Sequence, residues 1–174
     1  VIPILEPPTP LPDYTEAASF KTLPKDLAGR YHSAADYHAM YLSGELTPLA
    51  VAEFLLPLIR KDIDPKNVHS VAFVDSRVDL VMEAATASTE RYKLGKSLGV
   101  LDGVPLAIKD ETDIAGYRTM LGRKRDDNLY KVKTETSWPV MKWQEAGAVV
   151  VGKVNMHELG TGRSPKTIGA REAS

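Results

Sequence analysis

Short apolar runs alternate along this chain with longer stretches in which apolar residues recur at helical spacing. Val71–Val74, Val104–Ile108 and Ala148–Val151 are the short runs, and each reads as a buried strand. Between and before them lie amphipathic stretches. Ser33 is placed to cap a helix through Ala34, Ala35, Tyr37, His38, Tyr41 and Leu42 that stops at Gly44. Thr47-Pro48 is an N-cap followed by an N1 proline, and Val51, Phe54, Leu55, Leu58 and Ile59 then form one apolar face. Pro57 is expected to kink or interrupt that helix. Ser76-Arg-Val-Asp79 resembles a capping box opening a helix with Val78, Val81, Met82, Ala84 and Ala85 inward, fraying near Leu94-Gly95. Ser137-Trp-Pro139 opens another, with Val140, Met141 and Trp143 inward, closed at Gly147. Strands near 71–74, 104–108 and 148–151, with helices at about 34–43, 48–60, 77–93 and 138–146, predict an α/β layer architecture.

The run at 104–108 ends on a lysine. Val104, Leu106 and Ile108 alternate with Pro105 and Ala107, which fits either a half-buried edge strand or a short, fully buried one. Lys109 then begins a charged cluster with Asp110 and Glu111. Where a core strand surfaces, desolvation can tune a lysine into a base; the plainer alternative is a solvated lysine that ends a strand.

Gly103-Val-Pro-Leu-Ala-Ile-Lys109-Asp110, followed by Thr112-Asp113-Ile-Ala-Gly116, resembles the lysine segment of the amidase signature family. Ala146-Gly147-Ala-Val-Val-Val-Gly152-Lys153-Val-Asn155-Met-His-Glu158 resembles that family's next block, in the right order. The similarity is weak from about Ser33 and firm from about Val71 to Leu159. It implies a mixed β-sheet core flanked by helices, of which this chain would form an incomplete part. It also implies a catalytic set of a lysine, a serine in a cis peptide and a nucleophilic serine. Lys109 matches the lysine, with Gly103, Pro105, Asp110, Asp113, Gly116, Gly152 and Asn155 as supporting motif positions. The resemblance places both serines beyond Ser174, leaving no nucleophile in the chain.

Bulk properties narrow the alternatives. At 174 residues, 43% hydrophobic and 26% charged, the chain can build one real core. A formal net charge of −1 gives no general attraction to nucleic acid or anionic membrane. No stretch approaches the roughly 18 apolar residues of a membrane span. The absence of cysteine and of a secretory leader favours a cytoplasmic location. Six prolines within residues 1–30 suggest an extended arm, residues 31–160 form the α/β portion, and 161–174 is an atypical tail that departs from the family pattern and is a candidate for disorder.

Other polar groupings point to less chemistry. Gly95, Gly99 and Gly103, and Gly147 with Gly152, match no dinucleotide or P-loop fingerprint. Glycines 103, 116, 122, 147 and 152 fit turns or close chain approach. Asp110 and Glu111 lack a nearby His, and His157-Glu158 lacks the His-Glu-x-x-His spacing, so neither a metal nor a cofactor is expected. Asp110 and Asp113 are expected to hold local backbone N–H groups. Six basic residues between Arg118 and Lys133 suggest a nucleic-acid binder only faintly, since no zinc spacing or stacking motif accompanies them. The expected function is that of an amide-bond hydrolase carrying its lysine here, acting on a small-molecule amide once the rest of the domain is present. Apolar surface is expected where that remainder would pack. The alternatives are a noncatalytic interaction domain or inactive fragment and, last, a basic-loop nucleic-acid binder.

Overall fold

A computed structural model describes residues 31–160. The arm expected at 1–30 and the tail expected at 161–174 lie outside the described residues. Four α-helices and three strands alternate in the order α1 (Ala34–Ser43), α2 (Pro48–Ile59), β1 (Phe73–Asp75), α3 (Val78–Lys93), β2 (Pro105–Lys109), α4 (Trp138–Glu145) and β3 (Val149–Val154). The sheet is mixed, in the order β1-β3-β2, with β1 antiparallel and β2 parallel to β3. This is the α/β arrangement, a small open sheet flanked by helices, that the patterning predicts.

The caps explain several boundaries. Ser33 accepts from the Asp36 N–H, while the Asp36 carboxylate accepts from the Ser33 N–H, completing a capping box. Gly44 closes α1 at φ 74°, a left-handed position that glycine occupies without a Cβ clash. Thr47 caps α2 through the Ala50 N–H. At α3 the expectation fails: Arg77, not Ser76, is the N-cap, and it makes no side-chain cap bond. Its guanidinium instead forks onto Asp79 and reaches the Gly116 carbonyl.

Four other expectations need correction in whole or in part. Val71 and Ala72 belong to a 3-10 turn, Val68–Ala72, so β1 begins only at Phe73. Pro57 does not interrupt α2, which runs on to Ile59. The buried stripe of α2 is Val51, Ala52, Leu56 and Ile59, and at about 100° per residue Pro57 falls on the solvent side. There, water can satisfy the carbonyl left without its helical donor. The same geometry turns Phe54 outward, to 70% exposure. In α4 only Val140 is buried, and Met141 and Trp143 lie on the exposed flanks of an eight-residue helix.

The core lies on both faces of β3, the central strand. Val149 and Val151 pack with Ala52, Leu56, Ile59, Val81 and Ala85 of α2 and α3. Val150 faces the other way, toward Ile108, Ile114, Tyr117 and Val140. Alternation along a strand buried on both sides is what divides these clusters. β2 is the half-buried edge strand of the two options: Ile108 is buried, while Ala107 and Lys109 are exposed. Pro105, which has no N–H to donate, is tolerated as the first residue of this edge strand.

Candidate active site

Each end of β2 is held by a buried carboxylate. At the start, Asp102 accepts from Ser88 Oγ at 2.7 Å, from Arg91 Nη2 at 2.5 Å and Nε at 3.1 Å, and from the Leu98 N–H at 3.0 Å. Burial raises the Asp102 pKa, but these donors outweigh it and hold the carboxyl below its ordinary range. Tyr41 donates to the Gly103 carbonyl and Tyr92 to that of Asp102, and the Gly103 N–H bonds the Gly147 carbonyl. Gly103 itself sits at φ 77° with Pro48 Cγ 2.5 Å from where a Cβ would stand. No other residue fits that turn without displacement.

At the far end, Lys109 and Asp110 part company. Strand alternation sends Lys109 to the open side, where its side chain is 52% exposed and Nζ lies 3.1 Å from Glu111. The described residues thus leave the Lys109 side chain in contact with solvent. Asp110 turns inward and is fully buried. Its Oδ2 accepts from the N–H groups of Met120 at 3.2 Å and Gly122 at 3.4 Å, and the Leu121 N–H bonds its carbonyl.

The partner of Asp110 is Lys153, a residue that sequence reasoning placed in a motif without giving it a role. Nζ of this wholly buried lysine lies 3.2 Å from Asp110 Oδ1. The contact is a charge pairing rather than an aligned hydrogen bond, and Oδ1 has no hydrogen-bond donor among the described residues. Lys153 also donates to the Arg118 carbonyl and to Thr119 Oγ1. Burial pushes the Lys153 amine below the usual lysine range, against the opposing pull of Asp110, Asp113 and Asp75. A signal was present in the sequence. A lysine in the six-residue run Val149–Val154 needs a buried partner, and Asp110 was the carboxylate of the other motif.

The remaining motif positions serve this frame. Gly152 lies in β3 where Asp75 and Ser76 cross: a Cβ would come within 2.6 Å of the Asp75 carbonyl and of Ser76 Oγ. Asp113 is 3.1 Å from Lys133, and its carbonyl accepts from the Ser137 N–H. Burial raises the Asp113 pKa, but Thr119 and Lys133 bring it below the ordinary value. Gly116 bonds Lys133 through its N–H and Arg77 through its carbonyl. Asn155 is exposed, and its side chain accepts from the Met156 N–H. In the basic segment, Arg118 and Arg125 reach Asp127, Arg123 reaches Glu158 and Lys133 reaches Asp113. No group of three or more His, Asp or Glu side chains suited to a metal occurs among the described residues, and none of their helices is long and apolar enough to cross a membrane.

The amidase family profile matches residues 60–169, a span that contains Lys109, Asp110 and Lys153. The chain belongs to the amidase family. Its relatives include a fatty acid amide hydrolase from Medicago truncatula, 33% identical over 134 residues that make up 76% of this chain and 22% of that protein. A mitochondrial glutamyl-tRNA(Gln) amidotransferase subunit from Ixodes scapularis is 41% identical over 101 residues, 56% of this chain and 20% of that protein. Among solved structures, the native peptide amidase from Stenotrophomonas maltophilia superposes with a TM-score of 0.63 at 27% identity, over 72% of this chain and 25% of that one. This amidase-family chain thus spans about a quarter or less of the length of these relatives.

Proposed function

We propose that this chain supplies the lysine of a serine-dependent amide-bond hydrolase, with Lys109 as the proton relay. The observation that carries the reading is the family match across a lysine that ends an edge strand with its amine on the open side. Amide hydrolysis needs a nucleophile, a group that carries a proton to the departing nitrogen, and stabilisation of the oxyanion. As free amine, Lys109 would take the proton from a serine hydroxyl, directly or through a second serine, as that oxygen attacks the amide carbon. It would then return the proton to the leaving nitrogen as the C–N bond breaks. The serines of the resembled set have no counterpart in these 174 residues, so this segment alone is expected to be inactive.

Relatives named for fatty acid amides and for glutamyl-tRNA(Gln) both fit a linear amide substrate. The exposed Phe54, Trp138 and Trp143 fit packing by further chain. The test is hydrolysis of a simple aryl amide by the product of the complete reading frame, by this segment, and by Lys109→Ala. Turnover by the complete product that Lys109→Ala abolishes supports the proposal. Unchanged turnover in Lys109→Ala would remove it, and an inactive complete product would favour an interaction domain built on the amidase scaffold.

A further inference from the structure

We infer that Lys153 is a positioning residue for Lys109, acting through Asp110; the inference rests on the proposed role of Lys109. Lys109 and Asp110 are adjacent, and alternation points them to opposite sides of β2, so whatever fixes Asp110 fixes the direction in which Lys109 leaves the strand. Asp110 is held from three directions. Its N–H bonds the Val154 carbonyl of β3, its Oδ2 takes the Met120 and Gly122 N–H groups, and its Oδ1 faces the buried Lys153 amine. Lys153 in turn ties the same carboxylate to the Arg118 carbonyl and Thr119 Oγ1, and Thr119 Oγ1 bonds the Thr112 carbonyl. One ammonium group thus joins β3, the end of β2 and the returning segment 118–122 directly behind Lys109.

A step in register makes this possible. Leu106 pairs with Val150, but Ala107 pairs with Gly152, so Val151 has no partner on β2. Lys153 consequently stands opposite Ile108, on the side to which Asp110 also turns. An unbroken register would place Lys153 opposite Lys109, on the other face. Bulges of this kind re-aim side chains next to active sites. A buried ion pair is weak support for stability in itself, whereas holding one geometry is the use that fits an incompletely hydrogen-bonded pair here.

The experiment uses the product of the complete reading frame with an aryl amide. The variants are Lys109→Ala, Lys153→Met, Lys153→Arg, the charge-balanced pair Asp110→Asn/Lys153→Met, and Lys109→Ala/Lys153→Met. A reacting group displaced by about 1 Å loses on the order of 100-fold in rate. Lys153→Met is therefore expected to lower kcat about 100-fold with KM within about 3-fold, and Lys153→Arg to recover about 10-fold of that loss. The charge-balanced pair, which leaves no lone buried charge, is expected to fold by circular dichroism and still turn over at least about 30-fold more slowly than wild type. Adding Lys153→Met to Lys109→Ala is expected to change the residual rate by less than about 2-fold, since a residue acting through Lys109 has nothing left to position. A folded charge-balanced pair with wild-type kcat overturns the inference, as does Lys153→Met lowering the residual rate of Lys109→Ala by its full factor. Either result leaves the Lys109 reading standing. Full activity in Lys109→Ala removes both.

Discussion

The two ends of β2 are anchored by carboxylates of equal burial and opposite character. Asp102 meets four donor atoms from α3 and the loop after it, and Arg91 keeps 27% of its side chain in solvent. Asp110 has two backbone donors on one oxygen, none on the other, and a lysine with no solvent contact. The first arrangement is what a scaffold requires, because every polar atom that was desolvated has been matched. The second carries an oxygen that meets only a poorly aligned buried cation, immediately behind the exposed Lys109. Departures from full polar satisfaction collect at functional sites, and the two carboxylates show that contrast along one five-residue strand.

Removing one charge from each end is the sharpest way to test that contrast. Lys153→Met leaves Asp110 buried beside no cation and should destabilise the fold by about 3–5 kcal/mol in urea unfolding. Adding Asp110→Asn should recover at least about half of that loss, because the stranded charge goes with its partner. Failure of the second substitution to recover anything would mean that the pair is held by packing and not by charge.

At the other end, Asp102→Ala should cost about 3 kcal/mol, less than Lys153→Met because Arg91 can rehydrate. A pH signature separates it further. The folded pKa of Asp102 is depressed, so its contribution is fully present above the ordinary carboxylate value of 3.8 and is lost as pH falls through the lower folded value. Urea midpoints measured from pH 5 downward should fall in wild type, and the fall should be shallower in Asp102→Ala. Identical acid slopes would show that other carboxylates dominate.

Gly152→Ala puts a methyl group against the Asp75 carbonyl and Ser76 Oγ and should destabilise by about 1–3 kcal/mol. It disturbs the side of β3 away from Asp110, so circular dichroism should show a native fold with a lowered Tm. The smallest effect is expected far from both ends. Arg125→Ala removes a surface pair with Asp127, both more than half exposed, and should change stability by less than about 1 kcal/mol. A larger loss would give the basic segment a structural importance that its exposed ion pairs do not suggest.

Much of this was legible in the residues themselves. The Ser33 and Thr47-Pro48 caps, the Gly44 stop and the apolar runs set the α1, α2 and β2 positions closely, because these signals act within a few residues, whereas β3 runs on to Val154, three residues past the expected end at Val151. The direction of the apolar faces was less legible. Phe54, Met141 and Trp143 are as hydrophobic as their buried neighbours, and only packing against α3 and the sheet decides which stripe is covered. Lys109 and Asp110 could be read as motif positions whose side chains diverge by strand alternation, yet nothing local indicated what each would meet.

By itself, then, the sequence determined the succession of elements, the family and the residues that flank Lys109, because caps, periodicity and motifs are short-range properties of the chain. Only the tertiary structure decided that Lys153 belongs to Asp110. The two are 43 residues apart (153 − 110), and the one-residue step at Val151 chooses the face on which Lys153 emerges. A slip of one residue reverses every later side chain of a strand, and pairing between distant strands, not local pattern, fixes that register.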